Sequence, residues 1–259
     1  MFSVGNFHNN LRTRVLGQSV RDFSVVSSTN DLARDWCARG APDGALVIAE
    51  EQTAGRGRLN RKWLSEPGKN LTFSVVIRNR FPAALTNLAV VGTAVAVSAA
   101  IAEAFPVQTQ IKWPNDVQID GKKCCGILFE TESSQAGVNN IIAGIGINVN
   151  QREFSGRYMT DPTSLSIELG YELSRELLLA DILLQIEHEL DALTESSGGV
   201  HLRYQQHLKD IGQPVSLTLH SEGEKVKGIA AGIDKTGALQ IMTPDGLRRF
   251  AAGELTSQG

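Results

Sequence analysis

The sequence predicts an α+β protein: a mixed or antiparallel sheet with helices, followed by a small β-barrel. Strand-like and helix-like patterns alternate up to about residue 210, and beyond it only short strand patterns separated by turn residues follow. The 259 residues are 42% hydrophobic and 20% charged, which suits a globular protein with a sizeable core. We therefore divide the chain into an N-terminal extension (1–20), a main domain (21–210) and a C-terminal barrel (211–259).

Charge and cysteine usage exclude several classes of protein. The net charge of −3 gives no overall basic field that would attract nucleic acid or an anionic membrane. Cys37, Cys124 and Cys125 are an odd number with an adjacent pair, which fits neither a disulfide framework nor a zinc site. We interpret them as reduced thiols of a cytoplasmic protein. The first residues, MFSVGNFHNNLRTR, lack the layout of a signal peptide.

The first elements are a strand, a helix and a second strand, at residues 21–27, 28–39 and 45–51. The Ser-Thr-Asn sequence at 28–30 supplies N-cap chemistry for the helix. Residues 52–69 are rich in Gly and Arg and have no aliphatic periodicity, so we predict a long loop. Long loops inside compact domains are usually functional or mobile.

An alternating strand and a long apolar helix come next. Every second residue from Leu71 to Ile77 is apolar, as in a strand with one buried face. Residues 81–102 carry no charge and could suggest a membrane span. Their Ala, Val, Thr, Ser and Gly content gives a weak transfer energy, so we expect a buried central helix over about 85–105.

The remaining patterns complete both domains. Three strands are predicted at 110–119, 124–131 and 140–149, with hairpin turns at Asp120-Gly121 and near Gly137. Helices are predicted over 172–193 and 202–208. The barrel strands are predicted at 215–219, 226–233, 238–242 and 247–251, separated by turns at Gly223, Gly237 and Asp245-Gly246.

A first candidate site lies in the loop sequence AGRGRLNRKW, residues 54–63. Glycines let the backbone approach a ligand, and Arg56, Arg58 and Arg61 would repel one another unless an anion lay between them. Trp63 can cover an apolar ligand. A solvated basic loop or an RNA-binding arginine–glycine segment is the alternative, but such segments usually repeat in disordered tails. No Walker or Rossmann fingerprint is present.

Two further stretches carry polar and small residues. Residues 112–116, Lys-Trp-Pro-Asn-Asp, could be a simple turn, although that leaves the crowding of Lys112, Asn115 and Asp116 unexplained. Lys123 lies one hairpin away and could neutralise a transferring phosphoryl group, while Gly126 permits close approach of a ligand. The alternating glycines of residues 144–150, GIGINVN, also indicate a close neighbour, which is weak evidence by itself.

In this order, the three stretches resemble the biotin–protein ligase family (biotin–acetyl-CoA-carboxylase ligases). The matching segments are 28–30, 55–63, 112–116, 123–128 and 144–148, and the similarity extends over about residues 21–253. Each motif is moderately specific, and the ordered set is highly specific. The resemblance implies a class II synthetase-like catalytic domain of the biotin/lipoate ligase type and an SH3-like C-terminal barrel.

The resemblance also implies residue roles. The biotin ring would be held by Ser28, Thr29, Asn30 and Gln52. The loop closing over the biotin carboxylate and the phosphate would be Gly55, Arg56, Gly57 and Arg58, with Lys123 and Gly126 completing the biotin site. The nucleotide would contact Arg58, Arg61, Trp63, Asn115, Asp116, Lys123 and Asn148. The catalytic groups would be Arg56, Arg58, Asp116 and Lys123, with Mg²⁺ carried by ATP and met by Asn115 or Asp116.

The implied reaction uses ATP and Mg²⁺ to convert biotin to biotinyl-5′-AMP. Biotin is then transferred to a lysine of a biotin carboxyl carrier domain, in acetyl-CoA carboxylase or another biotin-dependent carboxylase. A lipoate or octanoate ligase shares the fold, but the polar residues at 28–30 and Gln52 suit a ureido ring better than an apolar chain. A non-catalytic biotin sensor is a third interpretation. A nucleic-acid-binding module is disfavoured by the acidic pI.

Departures from the family pattern lead to further expectations. The family usually has Arg-Gly where this chain has Leu59-Asn60, and Asn tolerates the left-handed conformation that Gly would use. About twenty residues precede the first strand, too few for a helix-turn-helix domain, so we predict no operator binding. Lys235, Arg248 and Arg249 of the barrel are either contacts to the site or solvated charges. A homodimer through an exposed sheet edge stays open.

Overall fold

The computed structural model describes residues 1–78, 81–133, 139–156, 158–196, 199–219 and 224–257. The described residues form two sheets, the first of seven strands in the order β1-β2-β3-β7-β6-β5-β4. β1 and β2 run parallel, and the other neighbours are antiparallel, which confirms the predicted mixed sheet. The strands are β1 Val20–Val26, β2 Leu46–Gln52, β3 Leu71–Arg78, β4 Thr109–Lys112, β5 Asp116–Ile119, β6 Lys122–Ser133 and β7 Asn139–Ile147.

Six α-helices are found in the described chain. They are α1 Val4–Asn10, α2 Thr29–Ala38, α3 Thr86–Ala104, α4 Leu165–Leu169, α5 Arg175–Ser196 and α6 Val200–His207. α3 packs against α5 and α6 and contacts β4, β5 and β6, whereas α2 contacts β2, β3 and β7. The main hydrophobic core lies on the α3 side, and a smaller apolar cluster lies beneath α2.

The alternation in β3 separates these two sides. Leu71, Phe73, Val75 and Ile77 belong to the main core, as the sequence predicts. The intervening Thr72 and Ser74 are polar yet almost completely buried. Successive side chains of a strand point to opposite faces, so these two residues face the side of α2. One face of the sheet therefore makes the core, and the other carries polar groups.

The helix α3 is the buried central helix that the sequence predicts. Together with the preceding turn it spans Ala83–Ala104, which is long and apolar enough to cross a membrane by composition alone. Two thirds of its most apolar window is buried inside the fold. Leu88, Val91, Val97 and Ile101 are nearly inaccessible to solvent. Its apolar character is thus accounted for by packing in the core.

The N-terminal extension is held against the main domain. The sequence patterns assign it no helix, but it forms α1, whose Phe7 is fully buried and which packs on α5. The nearly buried carboxylate of Glu187 accepts hydrogen bonds from the backbone N–H groups of Arg14, Val15 and Leu16 at 2.7 to 2.9 Å. Because these donors satisfy a buried charge, the extension stabilises the fold.

The single strand predicted over 110–119 is wrong, because the structure divides it into the hairpin β4–β5. Lys112 ends β4 and Asp116 begins β5, and the two residues are directly paired across the hairpin. The intervening Trp113–Pro114 bond is cis. Proline has no N–H for the ladder, and Pro-Asn-Asp is a turn sequence, so the turn takes precedence over continued pairing. The following turn at Asp120-Gly121 has positive φ at both residues, as predicted.

The C-terminal residues form an antiparallel sheet of five strands in the order β11-β10-β9-β8-β12. The strands are β8 Pro214–Thr218, β9 Lys225–Ile233, β10 Leu239–Thr243, β11 Gly246–Phe250 and β12 Glu254–Ser257. The small β-domain is confirmed, and β12 is an addition to the predicted strands. Trp113 Nε1 donates to Gly237 O at 3.2 Å and joins the two domains. The turns predicted near Gly137 and Gly223 lie outside the described residues.

Candidate active site

A cavity of about 580 Å³ lies on the polar face of the large sheet, between the 52–69 loop and the start of β12. All the predicted site residues line it except Gly55. Gly55 belongs to the same loop but does not line the cavity, and its O accepts a hydrogen bond from Trp63 N at 2.9 Å. A Cβ at Gly55 would lie 2.8 Å from Trp63 O, so only glycine lets the two arms of the loop approach.

The floor of the cavity is made by three glycines of β6 and β7. A Cβ at Gly144 would lie 2.2 Å from Asn30 Oδ1, and one at Gly146 would lie 2.4 Å from the Trp63 ring. A Cβ at Gly126 would lie 3.0 Å from Lys123 Nζ. The predicted close approach at these glycines is thus made by side chains of the site itself. Larger residues would displace them.

A group of neutral polar residues occupies one end of the cavity. Gln52 Oε1 accepts hydrogen bonds from Thr29 N at 2.7 Å and from Thr29 Oγ1 at 3.0 Å, which fixes the orientation of the Gln52 amide. Ser74 Oγ lies 2.8 Å from Thr29 Oγ1 and 2.6 Å from Asn30 Oδ1. Ser28 holds the N-cap position of α2, but its hydroxyl caps no backbone N–H of the described chain. Paired donors and acceptors are therefore held in fixed positions.

The arginines of the loop have different partners. Arg56 forms two hydrogen bonds with the Asp31 carboxylate, Nη1–Oδ2 at 2.8 Å and Nη2–Oδ1 at 2.5 Å. Arg58 donates to the neutral acceptors Asn115 Oδ1 and Gly253 O, both at 3.1 Å. Burial lowers the pKa of Arg58, although nearby Asp116 counteracts part of this effect. Arg58 is thus a partly desolvated cation whose hydrogen bonds within the described residues go to an amide oxygen and a carbonyl oxygen and not to a carboxylate, which makes it well suited to meet an anion.

The C-terminal domain reaches the cavity through the first residues of β12. Arg61 Nη2 lies 2.6 Å from Glu254 Oε2, and Gly253 O accepts from Arg58. Of the three barrel cations named from the sequence, Arg248 pairs with Glu224 at 3.5 Å and Arg249 with Asp234 at 3.9 Å. None of the three lines the cavity. The solvated-charge interpretation of these cations is therefore preferred, and Glu254 is a contact between the two domains that the sequence patterns do not predict.

The turn at 113–116 holds a second pair of groups. Asn115 Nδ2 donates to Ile127 O at 2.7 Å, and Ile127 N donates to Asn115 O at 3.1 Å, so the turn is fastened to β6. Asp116 pairs with Lys123 at 2.7 Å. Within the described ranges, no three His, Cys, Asp or Glu residues gather as a metal site. The oxygens of Asp116 and Asn115 are ligands of the type that Mg²⁺ prefers.

Two buried polar atoms at the cavity have no hydrogen-bond partner among the described residues. They are Trp63 Nε1, a donor, and Asn148 Oδ1, an acceptor. The other atom of the Asn148 amide, Nδ2, donates to Thr163 O at 2.9 Å, which fixes the orientation of the side chain. Buried polar groups are almost always paired in folded proteins, so these two atoms are the ones in the cavity that polar groups of a ligand could satisfy.

Several residues of the cavity were not identified from the sequence. Lining residues beyond the predicted set include Leu64, Thr72, Leu128, Phe154, Tyr158, Met159 and Thr160. Met159 lines the cavity but is 70% exposed, although methionine is usually buried. It therefore lies at the open mouth of the cavity. The polar residues Thr72 and Ser74 interrupt the apolar sequence of β3, and this was the signal by which Thr72 could have been predicted as a cavity residue. Phe154 and Tyr158 lie in irregular chain that carries no periodic signal.

The unusual backbone of the loop lies at Leu59. Leu59 has φ 58° and ψ 36° within the short 3₁₀ turn Arg58–Asn60. The left-handed conformation expected at Asn60 is thus one residue earlier. Two backbone hydrogen bonds close a tight turn over residues 57–61, from Gly57 N to Arg61 O (2.7 Å) and from Arg61 N to Arg58 O (3.2 Å). Leu59 is the middle residue of this turn. A left-handed leucine costs about 1–2 kcal/mol, so the turn stores some strain.

Comparison with known proteins agrees with this geometry. The model of the "Biotin/lipoate A/B protein ligase family" matches residues 23–148, and that of the "Biotin protein ligase C terminal domain" matches residues 210–255. The chain is 36% identical to the bifunctional ligase/repressor BirA of Bacillus subtilis (strain 168), over 95% of this chain and 76% of that protein. It is 32% identical to a biotin–[acetyl-CoA-carboxylase] ligase of Paracoccus denitrificans, over 84% of this chain and 92% of that protein.

Solved structures give the same result. The biotin protein ligase of Aquifex aeolicus in complex with biotin and ATP matches with a TM-score of 0.81 and 30% identity, over 93% of this chain and 99% of that chain. The fold, the ordered motifs and these relatives agree. The chain therefore belongs to the biotin protein ligases of the biotin/lipoate A/B protein ligase family.

Proposed function

We propose that this protein activates biotin with ATP and transfers it to a lysine of a biotin carrier domain. The observation that carries the proposal is the composition of one cavity. It joins a neutral polar end, a cationic centre and two unpaired buried polar atoms, which suit a ureido ring, a carboxylate with a phosphate, and a heteroaromatic base.

The neutral end suits the bicyclic ring of biotin. The ureido group needs donors and acceptors but no charge, and Ser28, Thr29 and Gln52 supply them. Gln52 already accepts two hydrogen bonds through Oε1, so its amide nitrogen is the group left to donate. A lipoyl chain offers no polar partner to the Ser28 hydroxyl or the Gln52 amide nitrogen, and leaving a buried polar group unpaired costs about 1–3 kcal/mol. We therefore favour biotin over lipoate or octanoate.

The cationic centre suits the first half-reaction. A biotin carboxylate oxygen attacks the α-phosphorus of ATP, the new C–O–P anhydride forms, and the bond to pyrophosphate breaks. Arg58 and Lys123 would stabilise the negative charge that develops on the phosphoryl oxygens. Mg²⁺ on the phosphates, met by Asp116 or Asn115, would supply further charge neutralisation. The predicted catalytic role of Arg56 stays a prediction, since Asp31 already binds its guanidinium.

The second half-reaction needs an acceptor amine. A neutral lysine nitrogen attacks the carboxyl carbon of the anhydride, the amide bond forms, and AMP leaves with the oxygen of the broken C–O bond. Trp63 and the 52–69 loop would keep water from the anhydride. For the nucleotide, we propose that Asn148 Oδ1 accepts from the adenine amino group, since this oxygen is buried and its amide is oriented.

We infer that the acceptor is a biotin carboxyl carrier domain, in keeping with the relative named biotin–[acetyl-CoA-carboxylase] ligase. We also infer a cytoplasmic protein that binds neither DNA nor membrane. The net charge of −3, three free buried cysteines and the burial of α3 in the core support this inference. A homodimer through the edge strand β1 is compatible with the sheet order.

The test is ATP–pyrophosphate exchange by the purified protein with Mg²⁺, with biotin, lipoate or no acid. Biotin-dependent exchange is expected, followed by transfer of labelled biotin to a purified carrier domain. Exchange with lipoate but not with biotin would show that the protein activates lipoate, and would contradict biotin as the substrate. Biotin binding without exchange would contradict the ligase and favour a biotin sensor.

A further inference from the structure

Four charged side chains form a closed cluster at one side of the cavity: Asp31, Arg34, Arg56 and Glu130. Asp31 and Arg34 lie on successive turns of α2, Arg56 lies in the loop, and Glu130 lies on β6. Arg34 bridges the two carboxylates, with distances of 2.9 Å to Asp31 and 2.8 Å to Glu130. Arg56 lies 3.8 Å from Glu130 in addition to its contacts with Asp31. The cluster is neutral in total and ties three separate elements together.

The cluster continues into the neutral polar end of the cavity. Glu130 Oε2 accepts from Asn30 Nδ2 at 2.8 Å, and Asn30 Oδ1 lies 2.6 Å from Ser74 Oγ. Ser74 then contacts Thr29, which holds Gln52. A continuous set of hydrogen bonds and ion pairs thus connects the first arginine of the loop with the residues proposed to hold the biotin ring.

The contacts also determine what Arg56 can do. Two carboxylates surround its guanidinium, and two of its N–H groups are bound to Asp31 in a planar two-point contact. The hydrogen bond with Asp31 raises the pKa of Arg56, and the same contact lowers the pKa of Asp31, so both groups stay charged at neutral pH. Arg58, by contrast, donates to an amide oxygen and a carbonyl oxygen within the described residues. The charge of Arg56 is used within the protein, whereas that of Arg58 is directed to the cavity.

We propose that Asp31 and Glu130 are positioning residues. They hold Arg56, and with it the start of the 52–69 loop, over the neutral polar end of the cavity where biotin is proposed to bind. Arg56 then acts as an anchor of the loop, while Arg58 and Lys123 face the reacting groups. This role rests on the proposed function. It adds that loop closure in this chain is set by α2 and β6, through side chains that do not themselves touch the reacting atoms.

The anchoring is tested without any substrate by limited trypsin digestion of the ligand-free protein. The variants are Asp31→Asn and Glu130→Gln, which remove charge but preserve shape. The control is Asp35→Asn, an exposed carboxylate one turn further along α2. Mass spectrometry follows peptides cut at Arg58, Arg61 or Lys62. We expect about tenfold faster cleavage there in Asp31→Asn, the factor given by a loss of ~1.4 kcal/mol, and no change in the control. Unchanged cleavage in both variants would overturn the anchor.

The functional part is tested by retention of the intermediate. Wild-type exchange with biotin is measured first and decides the proposed function separately. The variants are then compared for the KM of biotin, the KM of ATP and the release of free biotinyl-adenylate after rapid filtration. We expect a raised KM for biotin and faster release, with the KM of ATP close to wild type. Equal retention in wild type and both single variants would contradict the positioning role even where exchange is normal.

Discussion

Lys123 Nζ lies 2.7 Å from Asp116 Oδ1, and this ion pair forms diagonally across two neighbouring strands. Asp116 is directly opposite Gly126, while Lys123 is paired with Gln118 beyond an irregularity in the ladder. The missing side chain of Gly126 leaves the space that the ammonium occupies, because a Cβ there would lie 3.0 Å from Nζ. The pair places one cation and one carboxylate beside Arg58, at the centre of the cavity.

Lys123→Ala should lower the rate of biotin-dependent pyrophosphate exchange about 10²- to 10³-fold, the usual cost of removing one group that stabilises transition-state charge. Biotin binding should weaken far less, since the proposed ring contacts remain. Exchange kinetics together with calorimetric biotin binding measure the two effects. The control is Lys122→Ala, in which the neighbouring lysine pairs with Glu168. Equal loss in both variants would contradict a specific role for Lys123.

Arg58→Ala and Arg56→Ala should both release free biotinyl-adenylate. Arg58 joins the loop to Asn115 and Gly253, and Arg56 joins it to Asp31, so either change loosens closure over the anhydride. Filtration and chromatography of the nucleotide fraction measure the leak. Arg39→Ala, on the exposed turn after α2, serves as control. Normal retention in both loop variants would refute the shielding role of the loop.

Glu254→Gln should raise the KM of ATP severalfold and leave biotin binding near wild type. The change weakens the 2.6 Å pair with Arg61, which fastens the nucleotide side of the loop to the C-terminal domain. Initial-rate kinetics with each substrate varied in turn separate the two effects. Glu224→Gln breaks an exposed pair within the same small domain and is the matched control. A change confined to the KM of biotin would contradict the prediction that the Arg61–Glu254 pair supports nucleotide binding.

The thiols should be inert in the folded protein. Burial raises the pKa of Cys124 to about 12 and raises that of Cys125 well above its ordinary value. At pH 8 roughly one Cys124 in ten thousand is then a thiolate, the form that reacts. A thiol reagent such as DTNB should label none of the three cysteines in native protein and all three in guanidinium chloride. Rapid native labelling of Cys124 or Cys125 would contradict their burial.

Glu50→Gln should destabilise the protein by about 3 kcal/mol at pH 7, because it leaves Arg175 without its buried partner. Their side chains are 11% and 8% exposed, and Glu50 also accepts from Phe2 N. Burial alone would raise the pKa of Glu50, but Arg175 and Phe2 outweigh it, so the pKa is lowered. The stabilisation is therefore present above the ordinary value of 4.5 and lost as pH falls through the lower, folded value.

Denaturant unfolding of Glu50→Gln and wild type from pH 7 to pH 3 measures this difference, which should shrink at the acid end. Glu172→Gln provides the comparison, since its partner Lys69 is an exposed surface residue. The effect of that change should be much smaller at every pH. Equal effects of the two substitutions would mean that burial does not strengthen the Glu50–Arg175 pair.

The sequence predicted most of the strands and helices, apart from α1, α4 and β12, and it identified the motifs that supply the site. Apolar alternation in β3 and the uncharged run of α3 report local burial, so both were correctly predicted. The glycines of β6 and β7 marked the floor, because a missing side chain inside a strand already implies a close neighbour. Pro114 is a turn signal, but the apolar pattern on either side of it predicts one continuous strand, which the hairpin β4–β5 shows to be wrong.

The pairing of charged side chains could not be predicted from the sequence. Arg56 and Asp31 are 25 residues apart, and Arg61 and Glu254 are 193 residues apart. An ion pair requires that two side chains lie close in space. For these pairs that distance is set by the register of the sheet and by the docking of the C-terminal domain, so no sequence periodicity indicates them. Burial patterns are local properties of the chain and can be predicted from its sequence. The different roles proposed for Arg56, which anchors the loop, and Arg58, which faces the cavity, arise from long-range contacts. Two arginines in one short loop look equivalent in the sequence, so these roles cannot be predicted from it.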